Sequence, residues 1–190
     1  MMLPDAQLLL QENFLTTAEA DRLFAELRQH INWQQDNVRV FGKIHPQPRL
    51  TAFHGDKNLS LSYSGLTMTS NPWTEALLQV KNRIEECFEA SYNCVLLNLY
   101  RDGRDSNGWH ADNEAYLGRN PVIASVSLGA PRMFHLRHNQ LELPVQKIEL
   151  THGSLLIMAG TTQHFWKHQI PKTARPVGER INLTFRRIVT

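Results

Sequence analysis

From residue 95 to residue 188 the chain is a succession of short segments rich in Val, Ile, Leu and Phe. They are VLLNLYR (95–101), VIASVSL (122–128), MFHLRH (133–138), KIELT (147–151), SLLIMA (154–159), HFWKHQI (164–170) and RINLTFRRI (180–188). Gly, Pro, Asn or Asp stands between most of them, and no helical pattern intervenes. Strands that follow one another without helices pack as an antiparallel sandwich or barrel. Further short strands are expected near 8–14, 38–41 and 59–63. Two helices precede the β-rich half and are expected to pack outside it. Thr16 and Glu19 form a capping-box pattern ahead of Ala20, Leu23, Phe24 and Leu27. Asn71-Pro72 opens the second, with Pro in the first turn, and Trp73, Leu77, Val80, Ile84 and Cys87 follow at helical spacing. The fold class is therefore α+β, mainly β.

At 190 residues the chain has room for one domain with a sizeable core. The division expected is an N-terminal extension over 1–94 and a β core over 95–190. Hydrophobic residues make up 42% and charged residues 20%, which excludes a disordered or collagen-like chain. No apolar run approaches the roughly 18 residues of a membrane span. The opening MMLPDAQLLLQENF has no basic region ahead of its apolar residues and does not read as a signal peptide. Cys87 and Cys94 make no disulfide framework, which suits a reducing compartment. The expectation is a protein that is not secreted: cytoplasmic in a bacterium, nuclear in a eukaryote.

The net charge of +2 conceals an asymmetry. Residues 1–97 carry 8 Lys and Arg against 11 Asp and Glu, while residues 98–190 carry 12 against 7. Within the acidic half, residues 37–57 hold Arg39, Lys43, Arg49 and Lys57 against Asp56 alone. Such a distribution permits a polyanionic partner, and it also suits a solvated charged face.

Trp109-His110-Ala111-Asp112 is the first constellation with chemistry in it. In extended chain, residues two apart point to the same side, so His110 and Asp112 could hold adjacent positions on one metal ion. The same four residues, flanked by Gly103, Asp105, Asn107 and Gly108, also suit a surface loop. A third ligand would come from His135, His138, His152, His164 or His168. Two histidines and a carboxylate on one face of an octahedron leave three positions open, the arrangement of non-haem Fe(II) oxygenases. A closed zinc site would need a fourth ligand, and no cysteine follows Cys94. The last strand sets Arg180, Asn182, Thr184 and Arg186 on one face. Arginine suits bidentate carboxylate binding. Asn98 and Tyr100 share a face of the strand that begins the β-rich half. A solvent-facing edge explains either strand alone, and a dicarboxylate beside a metal explains both together.

These motifs resemble the AlkB family of Fe(II)/2-oxoglutarate dioxygenases. The resemblance rests on His110-x-Asp112, His168-x-x-Pro171, Arg180-x-Asn182-x-Thr184-Phe185-Arg186, Asn98-Leu99-Tyr100, PVIASVSLG (121–129) and His152-Gly153-Ser154-Leu155-Leu156. The stretches Arg39-Val40-Phe41-Gly42-Lys43, Pro48-Arg49 and Tyr63-Ser64-Gly65-Leu66 resemble the homologues that repair double-stranded DNA. The resemblance implies a double-stranded β-helix (jelly-roll) core. It implies iron on His110, Asp112 and His168, although His164, four residues earlier, would share a strand face with His168. Arg180 would hold the distal carboxylate of 2-oxoglutarate, with Tyr100 and Thr184 assisting. Asn98, Asn182 and Arg186 would meet the end that chelates iron. His152 would be structural. Phe41, in the hairpin with Gly42 and Lys43, would wedge the duplex, with Arg49 nearby. Tyr63 would stack on the flipped base, and Leu61, Ser62, Asn113 and Glu114 would line its pocket. Asn113 and Leu61 depart from the pattern of the duplex-repairing relatives.

The implied reaction is oxidative demethylation of N-alkylated bases of the 1-methyladenine and 3-methylcytosine type in DNA. It uses Fe(II), 2-oxoglutarate and O2 and releases formaldehyde, succinate and CO2. A methyl group on a pairing edge is unreachable inside a duplex, so the base must be flipped out. The implied partner is alkylated DNA, double-stranded first, with single strands and RNA as further substrates, acted on by a monomer. Rival readings are an RNA or protein dioxygenase on the same scaffold and a non-catalytic nucleic-acid-binding module. A metal-dependent jelly-roll enzyme without 2-oxoglutarate would leave Arg180 and Arg186 unexplained.

Overall fold

The computed structural model describes residues 3–40, 42–63 and 65–189. The elements in chain order begin with β1 (Gln7–Gln11), α1 (Thr17–His30), β2 (Asn37–Val40), β3 (Lys43–Pro46), β4 (Leu50–Gly55), β5 (Ser60–Tyr63), β6 (Leu66–Thr69) and α2 (Glu75–Cys87). They continue with β7 (Cys94–Tyr100), β8 (Asn107–His110), β9 (Ile123–Gly129), β10 (Arg132–His138), β11 (Gln146–Leu150) and β12 (Ser154–Ala159). A helical turn, α3 (Thr162–Phe165), then leads into β13 (Trp166–Ile170) and β14 (Arg180–Arg186).

Two antiparallel sheets make the core. The larger has six strands in the order β1-β12-β9-β14-β7-β4, and the smaller has four in the order β11-β10-β13-β8. Alternating strands send one set of side chains to each face. Leu97, Leu99, Val126, Leu155, Leu183 and Phe185 on one face of the large sheet meet Leu23 and Leu27 of α1 and Leu77, Val80 and Ile84 of α2. On the other face Leu156 and Met158 meet Phe134, Leu136, Ile148 and Trp166 of the small sheet. The helices thus cover the outside of a sandwich, as the order of elements predicts. β1 and β4, from the first half of the chain, complete the edges of the large sheet.

Thr16 caps α1 in a reciprocal capping box with Glu19. The second helix starts later than Asn71-Pro72. Thr74 caps it by accepting from the Leu77 amide, and Pro72 lies outside. The reason is tertiary: Asn71 donates from its backbone and its side chain to the Phe53 carbonyl, and His54 takes the Pro72 carbonyl. Residues 71 and 72 are thereby held against β4. The segment 164–170 is also shorter as a strand than its composition suggests. Thr162 Oγ1 closes a turn onto the Ala159 carbonyl at 2.6 Å, so His164 and Phe165 belong to α3. The strand expected over 8–14 is β1, and Phe14 and Leu15 beyond it are core residues. β4 and β8 gave no alternating signal. β4 is buried along most of its length, and β8, with the sequence NGWH, is an edge strand made largely of turn formers.

Candidate active site

The two sheets part at one end around a cavity of about 630 Å³. Its floor is the polar face of β7, β14 and β9. Register explains the grouping: Arg180 lies opposite Tyr100 and Gly129, Asn182 opposite Asn98 and Ser127, and Thr184 opposite Ser125. Residues side by side in register and two apart along a strand share a face, so all six residues expected to bind 2-oxoglutarate line this one cavity. The small sheet supplies the opposite wall. His110 on β8 and His168 on β13 are a direct cross-strand pair with ring centroids 4.3 Å apart. Asp112, two residues past His110, completes a group whose ligand atoms all lie within 4.8 Å of one another.

The electrostatics prepare these groups for a cation. Burial opposes ionisation of Asp112, yet Arg186 and the two histidines hold its carboxyl at about 2. Arg186 donates to Asp112 Oδ1 at 2.8 Å, and the Asp112 amide donates to Gln163 Oε1 at 2.9 Å. Oδ2 is buried and accepts from no group among the described residues. Burial, reinforced by His110, pushes the His168 imidazole down to about 3. Burial lowers His110 as well, and its Nδ1 donates to the Gly108 carbonyl at 2.7 Å, leaving Nε2 as the ligand atom. Two neutral imidazoles and one carboxylate with a spare oxygen fit a divalent metal.

The far end of the cavity is built for a carboxylate. Arg180 is 1% exposed. Its Nη2 donates to Ser127 Oγ at 2.9 Å, and its Cζ lies 5.2 Å from the Tyr100 ring centroid. Nε and Nη1 have no acceptor among the described residues, and burial lowers the guanidinium to about 10. A buried cation with unspent donors is costly unless an anion completes it.

His164 is not part of this group. It stands in α3, where its Nε2 meets Arg119 O and Asn120 Oδ1 and holds the loop after Asp112. His152 is structural as expected, with Nδ1 accepting from the Gly129 amide at 2.8 Å. Leu61, Ser62 and Glu114 line the cavity mouth, whereas Asn113 is exposed and off its wall. Gly42 and Lys43 are exposed away from it. Phe41 lies outside the described residues, as does the side chain of Tyr63. Arg49, grouped with the nucleic-acid contacts, is buried in the cavity wall and bonded to Asn98. Sequence reasoning assigned no role to Ser125, Ser127 or Gln163. The alternation in IASVS signals the serines, while nothing local signals Gln163.

A metal triad at one end and an unsatisfied arginine at the other call for a ligand that chelates through one carboxyl end and is anchored by a second. The chain belongs to the 2OG-Fe(II) oxygenase superfamily, whose family model matches residues 7–186. Within it the relatives are AlkB homologues. The alpha-ketoglutarate-dependent dioxygenase alkB homolog 3 of Bos taurus is 44% identical over 92% of this chain and 64% of its own length. The DNA oxidative demethylase ALKBH2 of Mus musculus is 41% identical over 90% of this chain and 76% of its own. The chain thus spans just under two thirds of the bovine relative. The solved structure of OsALKBH1 shares the fold, with a TM-score of 0.68 at 17% identity, covering 98% of this chain and 100% of that one. The superfamily implies Fe(II), 2-oxoglutarate and O2. The spare Asp112 oxygen and the open donors of Arg180 fit the metal and the co-substrate respectively.

Proposed function

We propose that this chain oxidatively removes N-methyl groups from damaged bases in DNA, with lesions of the 1-methyladenine and 3-methylcytosine type as substrates. The observation that carries the reading is the continuity of one cavity. It runs from Arg180 past the His110, Asp112 and His168 group to Leu61 and Ser62 on the hairpin of β5 and β6. Its volume suits a small dicarboxylate and an extruded base together. The name of the mouse relative supports the same substrate.

His110, Asp112 and His168 would hold iron, which supplies oxidation of the methyl group by O2 coupled to decarboxylation of 2-oxoglutarate to succinate and CO2. The N–C bond of the hydroxymethyl group would then break, its electron pair returning to the ring nitrogen, with formaldehyde and the hydroxyl proton released. Arg180 anchors the distal carboxylate, and Tyr100 and Thr184 flank it. Arg186 keeps Asp112 ionised and fixes which oxygen stays free. Phe134, stacked on His168 at 5.1 Å, keeps that ring in place and water away from its face. Arg39 and Lys43, on either side of Phe41 in the sequence, support a duplex substrate. The test is mass spectrometry of oligonucleotides carrying one 1-methyladenine, single- and double-stranded, incubated with Fe(II) and 2-oxoglutarate. Loss of the methyl group with succinate release is expected. Succinate release without methyl loss on either strand form, but with loss from RNA or a protein, would replace DNA as the substrate.

A further inference from the structure

Arg49 stands just before β4, is 7% exposed, and forms no ion pair among the described residues. Its Nε donates to Asn98 Oδ1 at 2.6 Å and its Nη1 to the Ser106 carbonyl at 3.3 Å. The Ser106 amide in turn donates to the Pro48 carbonyl at 2.8 Å, so this corner is tied to the chain entering β8. A guanidinium can only donate. An asparagine amide can present either its oxygen or its nitrogen, and its partner decides which. Beside Arg49 only the oxygen is acceptable, so the Asn98 nitrogen is turned the other way. Asn98 is 3% exposed on the cavity wall, and its Nδ2 has no acceptor among the described residues.

Its neighbour across the sheet behaves differently. Asn182 Nδ2 donates to Ser125 Oγ at 2.8 Å and to the Val126 carbonyl at 3.1 Å, while its Oδ1 accepts from Thr184 at 2.9 Å. Both hydrogens of that amide are spent inside the protein. Of the two amides side by side in register, Asn98 alone retains a donor for a ligand.

We propose that Arg49 is a positioning residue for 2-oxoglutarate: it locks the Asn98 amide in the orientation that offers Nδ2 to an oxygen of the co-substrate. The proposal rests on the family reading of the cavity and reassigns Arg49 from nucleic-acid contact to co-substrate binding. It also explains a buried guanidinium without a carboxylate, because the charge guarantees the orientation that a neutral partner would leave open.

The test is anaerobic calorimetric titration of 2-oxoglutarate into the Fe(II)-loaded protein, with melting temperature recorded for each variant. Arg49→Met should weaken binding about tenfold or more, the loss of one hydrogen bond to a charged ligand. Arg49→Lys, also donor-only, should retain more affinity than Arg49→Gln, which can face Asn98 with either amide atom. In an Asn98→Ala background, Arg49→Met should change the affinity by less than about twofold, because coupled residues are not additive. Unchanged affinity in Arg49→Met, equal affinity in the Lys and Gln variants, or a full loss persisting without Asn98 would each overturn the role. A purely structural Arg49 would lower the melting temperature and leave the Lys–Gln order flat. Failure of the unaltered protein to bind 2-oxoglutarate would instead overturn the reading of the cavity itself.

Discussion

Asp112 carries the only formal negative charge among the three candidate metal ligands, and Arg186 compensates it when no cation does. Asp112→Ala should therefore weaken Fe(II) binding and abolish succinate production, and near-normal production by the purified variant would remove Asp112 from the site. His168→Ala should do the same, whereas His164→Ala should keep most activity, since the His164 ring contacts the loop at Arg119 and Asn120 and stands outside the His110, Asp112 and His168 group. Arg180 is the second test at this scale. Its loss removes a charge-assisted contact worth roughly 1.5–3 kcal/mol, so Arg180→Ala should raise KM for 2-oxoglutarate about 10- to 150-fold. Arg180→Lys should recover only part, because an ammonium lacks the planar fork. Initial rates against 2-oxoglutarate concentration decide it. The sequence made His110, Asp112 and Arg180 legible because period-2 alternation survives folding. It left His164 and His168 as alternatives because a four-residue spacing reads alike in a strand and in a turn.

At the scale of elements, the junction of β4 with α2 shows what local pattern misses. His54 Nδ1 donates to the Pro72 carbonyl at 2.7 Å, and burial lowers its imidazole from the ordinary 6.5 despite that bond. Above that pH both folded and unfolded states hold it neutral. Below it the unfolded chain takes up a proton that the folded chain resists, so stability falls as the pH drops from about 6.5 towards the lowered folded value. His110 and His168 shift in the same direction, so the informative quantity is a difference. Urea unfolding at about pH 7.5 and about pH 5.5 should show a smaller loss for His54→Gln than for the unaltered protein. An identical loss would mean that His54 is not held neutral. The same contact explains why the helix begins at Thr74: residues committed to a neighbouring strand cannot also form a first helical turn.

For the molecule as a whole, the cavity opens beside Leu61 and Ser62 of β5 and Val38 of β2, and Arg39 and Lys43 belong to the adjoining hairpin of β2 and β3. An apolar wedge replaces part of the stacking of a flipped base, roughly 1–3 kcal/mol. Phe41→Ala should thus cut activity on duplex DNA about 5- to 150-fold with little change on single strands. Its melting temperature should hardly move. Equal loss on both substrates with a clear drop in melting temperature would make Phe41 a core residue, for which truncation costs about 3–5 kcal/mol.

The β-rich half, the two outer helices, the pairing of His110 with Asp112 and the place of Arg180 on a polar strand face were all legible in the sequence. Each of these is written in alternation, in capping residues or in short spacings, which are properties of a few consecutive residues. Folding brings Arg49 onto Asn98, sets Gln163 to accept from the Asp112 amide, and turns His168 rather than His164 towards His110. These pairings join residues 49, 51 and 58 positions apart, and no local periodicity records them. Strand register sets the last of them, because sliding a strand by one residue exchanges its polar face for its apolar one, and each of the other two involves a residue beyond a strand end.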